Sequence, residues 1–90
     1  MHFKHKGPKL FFKTGSVAGI RPEHRNRVRL ILGRLAASES PEDMALPGLG
    51  LHPLVGKRAG TWAVRVSGNW RITFQFKASK AEAINYEDYH

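Results

Sequence analysis

The sequence predicts an α+β fold in which two or three helices pack on one face of a small antiparallel β-sheet. Apolar residues recur at helical spacing from Pro22 to about Ala37, and apolar and polar residues alternate strictly from Trp62 to Lys77. A chain of 90 residues can bury one hydrophobic core but is too short for two. We therefore expect a single domain over residues 1–90.

The first predicted elements are helices. Pro22 suits a first helical turn, and Glu23 beside it complements the positive end of the helix dipole. A short strand over residues 2–6 and a brief helix from Leu10, ended by Gly15, are expected before it. A further short helix is expected at Pro41, with Ser40 as its N-cap.

Two alternating strands follow, and their apolar rows fix the expected register. If both rows face one core, Val66 lies opposite Trp70 and Arg65 opposite Arg71, with a three-residue loop in which Asn69 takes a left-handed conformation. A last strand is expected from about Ala83 to Tyr86. Proline at position 53 is excluded from a central strand, so His52 is expected near a sheet edge.

The charge indicates a polyanionic partner. The chain has 15 Lys and Arg against 7 Asp and Glu, a net charge of +8. Basic residues concentrate in segments 1–35 and 57–80, which we expect to form one face. The chain has no cysteine, which excludes disulfides and thiolate chemistry and favours the cytoplasm. It also has no apolar stretch long enough to predict a membrane span.

The predicted register places Arg65 and Arg71 side by side on the face away from the core. Two guanidiniums in this arrangement suit a phosphate group, although both side chains could also extend into solvent. The nearby basic residues join them as candidate RNA- or phosphate-binding residues: Lys57, Arg58 and Lys77.

Histidines supply candidate acid–base groups. Cleaving RNA without a metal needs a base for the 2′-hydroxyl and an acid for the departing 5′-oxygen. His2, His5 and His24 fit ordinary surface positions, whereas His52 lies in an apolar loop and His90 follows Asp88 and Tyr89. Taken alone, that last segment also fits a frayed end. A metal site from two histidines and an aspartate lacks tight ligand spacing.

Several segments together resemble the HigB-type toxins of the RelE/ParE superfamily, and the likeness runs nearly end to end. The spacing of the L-H-P-L, N-W-R and terminal D-Y-H segments is the most specific part of it. The segments are His5-Lys6-Gly7, Thr14-Gly15, Ser40-Pro41-Glu42-Asp43, Leu46-Pro47-Gly48, Leu51-His52-Pro53-Leu54, Gly56, Gly60, Trp62, Asn69-Trp70-Arg71 and Asp88-Tyr89-His90.

The resemblance implies a RelE-like toxin that enters the A site of the 70S ribosome and cuts mRNA without a metal or other cofactor. It implies a HigA-type helix-turn-helix antitoxin as the neutralising partner, while the lack of a long apolar stretch predicts no membrane association. It assigns Arg71 to the scissile phosphate and implies this catalytic set: His52, Asp88, Tyr89 and His90. The family pattern L-K-G-D is replaced by Leu54-Val55-Gly56-Lys57, so Lys57 is the candidate substitute for the displaced lysine.

Two other functions compete with the nuclease. A ParE-like inhibitor of DNA gyrase shares the superfamily fold without catalysis, and it has no need for His52 or the terminal Asp-Tyr-His. A nonenzymatic nucleic-acid-binding domain fits the charge, but the even-numbered aromatic residues are better explained as core. The basic helix from Arg21 to Arg34 suits either an acidic antitoxin segment or ribosomal RNA.

Overall fold

The computed structural model describes residues 1–4, 6–16 and 19–88. Over these ranges two α-helices cover one face of an antiparallel sheet whose strand order is β1-β2-β3-β4. The helices are α1 (Lys6–Thr14) and α2 (Arg25–Ala37), and the strands are β1 (His52–Pro53), β2 (Trp62–Ser67), β3 (Trp70–Lys77) and β4 (Lys80–Asp88). This arrangement confirms the predicted α+β class.

The core lies between α2 and the sheet. Val28, Ile31 and Leu32 of α2 are fully buried, as are Ile72 and Phe74 of β3. Each such side chain contributes about 1.5 to 3 kcal/mol through the apolar surface it removes from water. The apolar face of α2 therefore packs against the apolar face of β2 and β3, as predicted.

The N-terminal elements differ from expectation. Residues 2–6 do not form a strand in the described part of the chain: Phe3 makes one parallel bridge to Ile84, and α1 already begins at Lys6. His5 lies outside the described residues. Pro8 falls in the first turn of α1, where the missing N–H has no helical acceptor to lose, so the Gly7-Pro8 pair does not delay the helix. Gly15, with φ +75°, ends it as predicted.

The predicted helix from Pro22 is confirmed. A 3₁₀ turn over Pro22–His24 leads directly into α2. The second expected helix is only a 3₁₀ turn, Pro41–Met44, and the side chain of Ser40 makes no capping hydrogen bond. The backbone carbonyl of Ser40 accepts from the Asp43 N–H instead, at 3.1 Å.

The β2–β3 hairpin has the predicted pairing of Arg65 with Arg71, but the expected pairing of Val66 with Trp70 is wrong. A bulge at Val66 leaves Ser67 opposite Trp70 and shortens the connection to Gly68 and Asn69. The positive φ falls on Gly68, at +55°, rather than on Asn69, because glycine has no Cβ to strain that conformation.

The last strand is longer than the alternation predicts. It begins at Lys80 because a tight turn at Ala78 and Ser79, with φ 52° and 64°, returns the chain directly from β3. A bulge then occurs between the Thr73 and Gln75 pairs, where Ala83 has φ 50°. This bulge interrupts the two-residue period that marks a strand in sequence.

In the described ranges, no helix is long and apolar enough to cross a membrane.

Candidate functional site

The sheet face turned away from the helices carries most of the predicted site, and we call it the polar face. Directly paired residues of neighbouring strands point to the same side of a sheet. The register therefore aligns His52, Ala63, Thr73 and Asn85 in one row across all four strands. The adjacent row consists of Arg65, Arg71 and Glu87. A histidine from the edge strand thus shares this surface with two arginines from central strands.

His52 is held by its own loop. Its Nδ1 lies 2.9 Å from the carbonyl oxygen of Gly50. A carbonyl can only accept a hydrogen bond, so Nδ1 carries the proton and Nε2 of the neutral ring carries the lone pair. Because the ring is half-buried on edge strand β1, this geometry suits proton transfer to or from a bound molecule.

The arginine pair on the polar face is confirmed by the register. The Nη1 atom of Arg71 donates to the carbonyls of Gly68, at 2.6 Å, and Trp70, at 3.0 Å. These bonds hold its guanidinium at the hairpin end of the sheet. Arg65 is exposed on the paired strand, with its guanidinium near Gly50, so the two cations lie on the same face.

Arg58 also lies on this face, where its guanidinium is paired within the protein. Its guanidinium makes a bidentate ion pair with Glu87, with Nη1 to Oε1 at 2.9 Å and Nη2 to Oε2 at 2.6 Å. The Thr73 hydroxyl donates to the same carboxylate. The hydrogen bonds from Arg58 lower the pKa of Glu87 to about 2, against the opposing effect of burial.

A cleft of about 330 Å³ opens on the polar face. The exposed lysines Lys4 and Lys57 line it together with the buried threonines Thr61 and Thr73. Lys57 belongs to the short 3₁₀ helix Gly56–Arg58 in the loop between β1 and β2. The cleft therefore combines positive charge at exposed positions with hydroxyl groups on the sheet.

Two predicted site residues lie elsewhere in the described part of the chain. Asp88 is exposed and pairs with Trp70, so it lines a groove with Arg21 and His24 on the helix side, whereas His52 is on the polar face. Three strand spacings, about 14 Å, separate β1 from β4. Lys77 lies at the opposite end of β3 from Arg71, about 20 Å along the strand.

The last two predicted catalytic residues, Tyr89 and His90, lie outside the described residues. A metal site that includes His90 falls outside them as well. Among the residues that are described, no three His, Asp or Glu side chains gather as metal ligands.

His24 is a residue that the sequence interpretation misassigned. It is buried, with 4% of its surface exposed, and its Nδ1 lies 2.6 Å from the Tyr86 hydroxyl. Tyr86 in turn stacks on Trp70, with ring centroids 4.5 Å apart. The signal was present in the sequence, because position 24 continues the spacing of the buried residues 28, 31 and 35 by a further helical turn.

The expectation that both basic segments form one face is wrong. Exposed cations of α2, such as Arg29 and Arg34, lie on the helix side of the sheet, while Arg65 and Arg71 lie on the polar face. Lys4 of the first segment does reach the cleft beside Lys57. The positive charge is therefore distributed over both sides of the molecule.

Comparisons with known proteins show the family of the chain. A family model described as the RelE-like toxin of type II toxin-antitoxin system HigB matches residues 1–90. The chain is also 41% identical over 88 residues to Endoribonuclease HigB of Proteus vulgaris, an alignment that covers 98% of this chain and 96% of the relative. The chain belongs to the family of RelE-like HigB toxins of type II toxin-antitoxin systems.

Proposed function

We propose that this toxin is a ribosome-dependent endoribonuclease that cuts mRNA in the ribosomal A site by metal-independent acid–base catalysis. The observation that carries the proposal is the shared polar face of His52, Arg65 and Arg71, in adjacent rows of the sheet. The similarity to a protein named as an endoribonuclease supports the same reaction class. Because translating ribosomes are cytoplasmic, the proposal also places the toxin there.

The reaction needs three functions that the predicted residues can provide. A base removes the proton of a ribose 2′-hydroxyl, whose oxygen attacks the adjacent phosphorus, and the bond to the 5′-oxygen of the next nucleotide breaks. That oxygen leaves with a proton from an acid, and a 2′,3′-cyclic phosphate remains. His52 can serve as base through Nε2 or as acid when protonated, and Asp88 and His90 are the other candidates. Asp88 lies on the helix side, so it can act only on RNA that passes around the β4 edge of the sheet.

Charge stabilisation is the part that the arginines explain best. The phosphorus gains negative charge on its oxygens as the 2′-oxygen attacks, and fixed cations aimed at those oxygens lower the barrier. Arg71, held by two backbone carbonyls, suits this role, and Arg65 beside it suits a neighbouring phosphate. In the proposal Tyr89 stacks on or positions a base, and Lys57 supplies the charge that the family pattern places two residues earlier.

The first test is a translating cell-free reaction with a defined mRNA, in which cut ends are mapped by primer extension. We expect the wild type to cut within codons only when ribosomes are present. His52→Ala and Arg71→Ala should each lower the cleavage rate by about 10² or more, the range for lost acid–base or charge stabilisation. Lys13→Ala, at an exposed position of α1 away from the polar face, is the matched control and should cut normally.

The same experiment separates the proposal from its rival. Intact mRNA together with growth arrest by the wild type would contradict the nuclease and favour a ParE-like inhibitor of gyrase, which is then assayed by plasmid supercoiling. Cleavage of naked mRNA at the same rate would leave an endoribonuclease but refute ribosome dependence.

The family implies an antitoxin, and we propose that it is of the HigA type, with a helix-turn-helix domain. The exposed arginines of α2 offer an acidic partner a complementary surface. Co-expression with a HigA-type antitoxin should yield a stable complex and abolish cleavage. Loss of cleavage without a complex would refute direct neutralisation.

A further inference from the structure

One ion pair joins two parts of the polar face that are far apart in sequence. Arg58 ends the 3₁₀ helix in the β1–β2 loop, whereas Glu87 lies near the end of β4. Their bidentate contact, at 2.9 and 2.6 Å, therefore crosses the two central strands. The hydroxyl of Thr73 in β3 donates a hydrogen bond to the same carboxylate. We call these three residues the loop–strand bridge.

Both ends of the bridge adjoin candidate site residues. Lys57 immediately precedes Arg58 in the loop, and Glu87 is the direct cross-strand partner of Arg71 on the polar face. The loop itself is closed by local bonds, such as Leu54 N–H to the Thr61 carbonyl at 2.8 Å. Such bonds fix its shape, and the Gln75 side-chain amide of β3 donates to the Thr61 hydroxyl at 3.0 Å, which ties the end of the loop, but not its 3₁₀ helix, to the sheet. The bridge supplies the constraint on that helix.

The geometry also argues against Arg58 as a phosphate ligand. Its fork-shaped guanidinium already matches a carboxylate, and the side chain of Glu87 is only 18% exposed. A phosphate that displaced Glu87 would leave a half-buried carboxylate beside a second anion, which costs more than the new contact gains. Arg58 is thus committed within the protein, unlike exposed Arg65.

We propose that the loop–strand bridge positions Lys57 relative to Arg71 on the polar face for RNA cleavage, so that Arg58 and Glu87 are positioning residues. This inference rests on the proposed endoribonuclease function. It predicts that loss of either partner lowers the cleavage rate on bound ribosomes more than it weakens binding, because the groups that contact RNA remain but are misplaced.

The test compares Arg58→Met and Glu87→Gln in single-turnover cleavage by excess toxin on stalled ribosome–mRNA complexes. We expect each variant to lower the saturating rate at least tenfold while the half-saturating concentration changes less than threefold. The saturating rate of the double variant should lie within threefold of that of the slower single variant, because either change alone already removes the Arg58–Glu87 ion pair. Lys13→Met, which removes a charge from the helix side, should match the wild type.

The sign of the Glu87→Gln effect decides between the two roles. If Arg58 binds phosphate, Glu87→Gln frees its guanidinium and binding tightens with an undiminished rate, whereas Arg58→Met weakens binding; that pattern would overturn the proposal. Thermal unfolding shows whether the variants are folded. Glu87→Asp, which keeps the charge but shortens the reach, should still lower the rate at least threefold, and an unchanged rate would count against the bridge.

A readout independent of activity separates this inference from the proposed function. In ¹H–¹⁵N spectra of the isolated toxin, Glu87→Gln should shift the amide signals of residues 56–58 as well as its own neighbours. Shifts confined to β3 and β4 would refute the link to the loop. A wild type that fails to cut mRNA would refute the nuclease while leaving this spectral result valid.

Discussion

At the scale of single residues, Glu87 makes the stability of the fold depend on acid pH. Its folded pKa of about 2, set mainly by Arg58, lies below its ordinary value of 4.5. The ionised carboxylate therefore stabilises the fold fully above about pH 4.5, and this contribution is lost as the pH falls through about 2. We expect Glu87→Gln to lower the urea unfolding free energy by about 1 to 2 kcal/mol at pH 7, allowing for solvent screening.

Urea titrations from pH 7 to pH 2 check this expectation. The difference between wild type and Glu87→Gln should shrink steadily below about pH 4.5. A difference that stays constant over that range would show that the ion pair does not depress the pKa of Glu87.

His24 and Tyr86 form the second residue-scale feature. Their hydrogen bond of 2.6 Å joins a buried ring to a half-buried phenol. Tyr86→Phe keeps the stack on Trp70 but leaves His24 without its hydroxyl, which should cost about 1 to 3 kcal/mol of unfolding free energy. In a double-mutant cycle, His24→Leu with Tyr86→Phe should cost less than the sum of the single changes. Additive costs would show that the two groups do not interact.

At the scale of elements, the hairpin between β2 and β3 depends on one glycine. Gly68 has φ +55°, and no atom lies within 4 Å of the Cβ that alanine would add. The penalty of Gly68→Ala is therefore conformational, about 1 to 2 kcal/mol of unfolding free energy. Gly33, in the exposed interior of α2, has equal space, so Gly33→Ala should instead stabilise the protein by about 0.5 to 1 kcal/mol. Chemical unfolding of both variants checks the opposite signs, and equal effects would contradict the argument.

The elements that sequence predicts well are those whose signals are local. The spacing of Val28, Ile31 and Leu35 locates α2, and the alternation from Trp62 locates β2 and β3. The start of α1 and the length of β4 were predicted wrongly. Ala83 shows why for β4: its positive φ is set by the register of the whole sheet, and an alanine carries no sequence signal for it.

The same distinction applies to the site at the scale of the whole molecule. The pairing of Arg65 with Arg71 and the edge position of His52 follow from alternation and from Pro53, so both are predictable. The bidentate contact of Arg58 with Glu87 is not, because a pairing across 29 positions exists only once the sheet has assembled. Asp88 lies on the helix side because it continues the alternation of Ile84 and Tyr86, but the sequence prediction ended the strand at Tyr86.

The distribution of charge over both sides of the molecule leads to a last prediction, about salt. Binding of single-stranded RNA releases counterions, and each phosphate contact contributes about 0.7 to the slope of log K against log salt concentration. If RNA lies on the polar face, Arg65→Gln should lower the slope by about 0.7. Arg34→Gln removes the same charge from an exposed position of α2 on the other side and should leave the slope unchanged.

Fluorescence anisotropy of a labelled RNA oligonucleotide over a range of salt concentrations measures both slopes. Equal reductions would show that RNA contacts both sides of the sheet, and the net charge of +8 would then act as a diffuse attraction. A reduction confined to Arg65→Gln would instead assign the RNA contact to the face that carries His52. The exposed arginines on the helix side would then remain available to a different anionic partner.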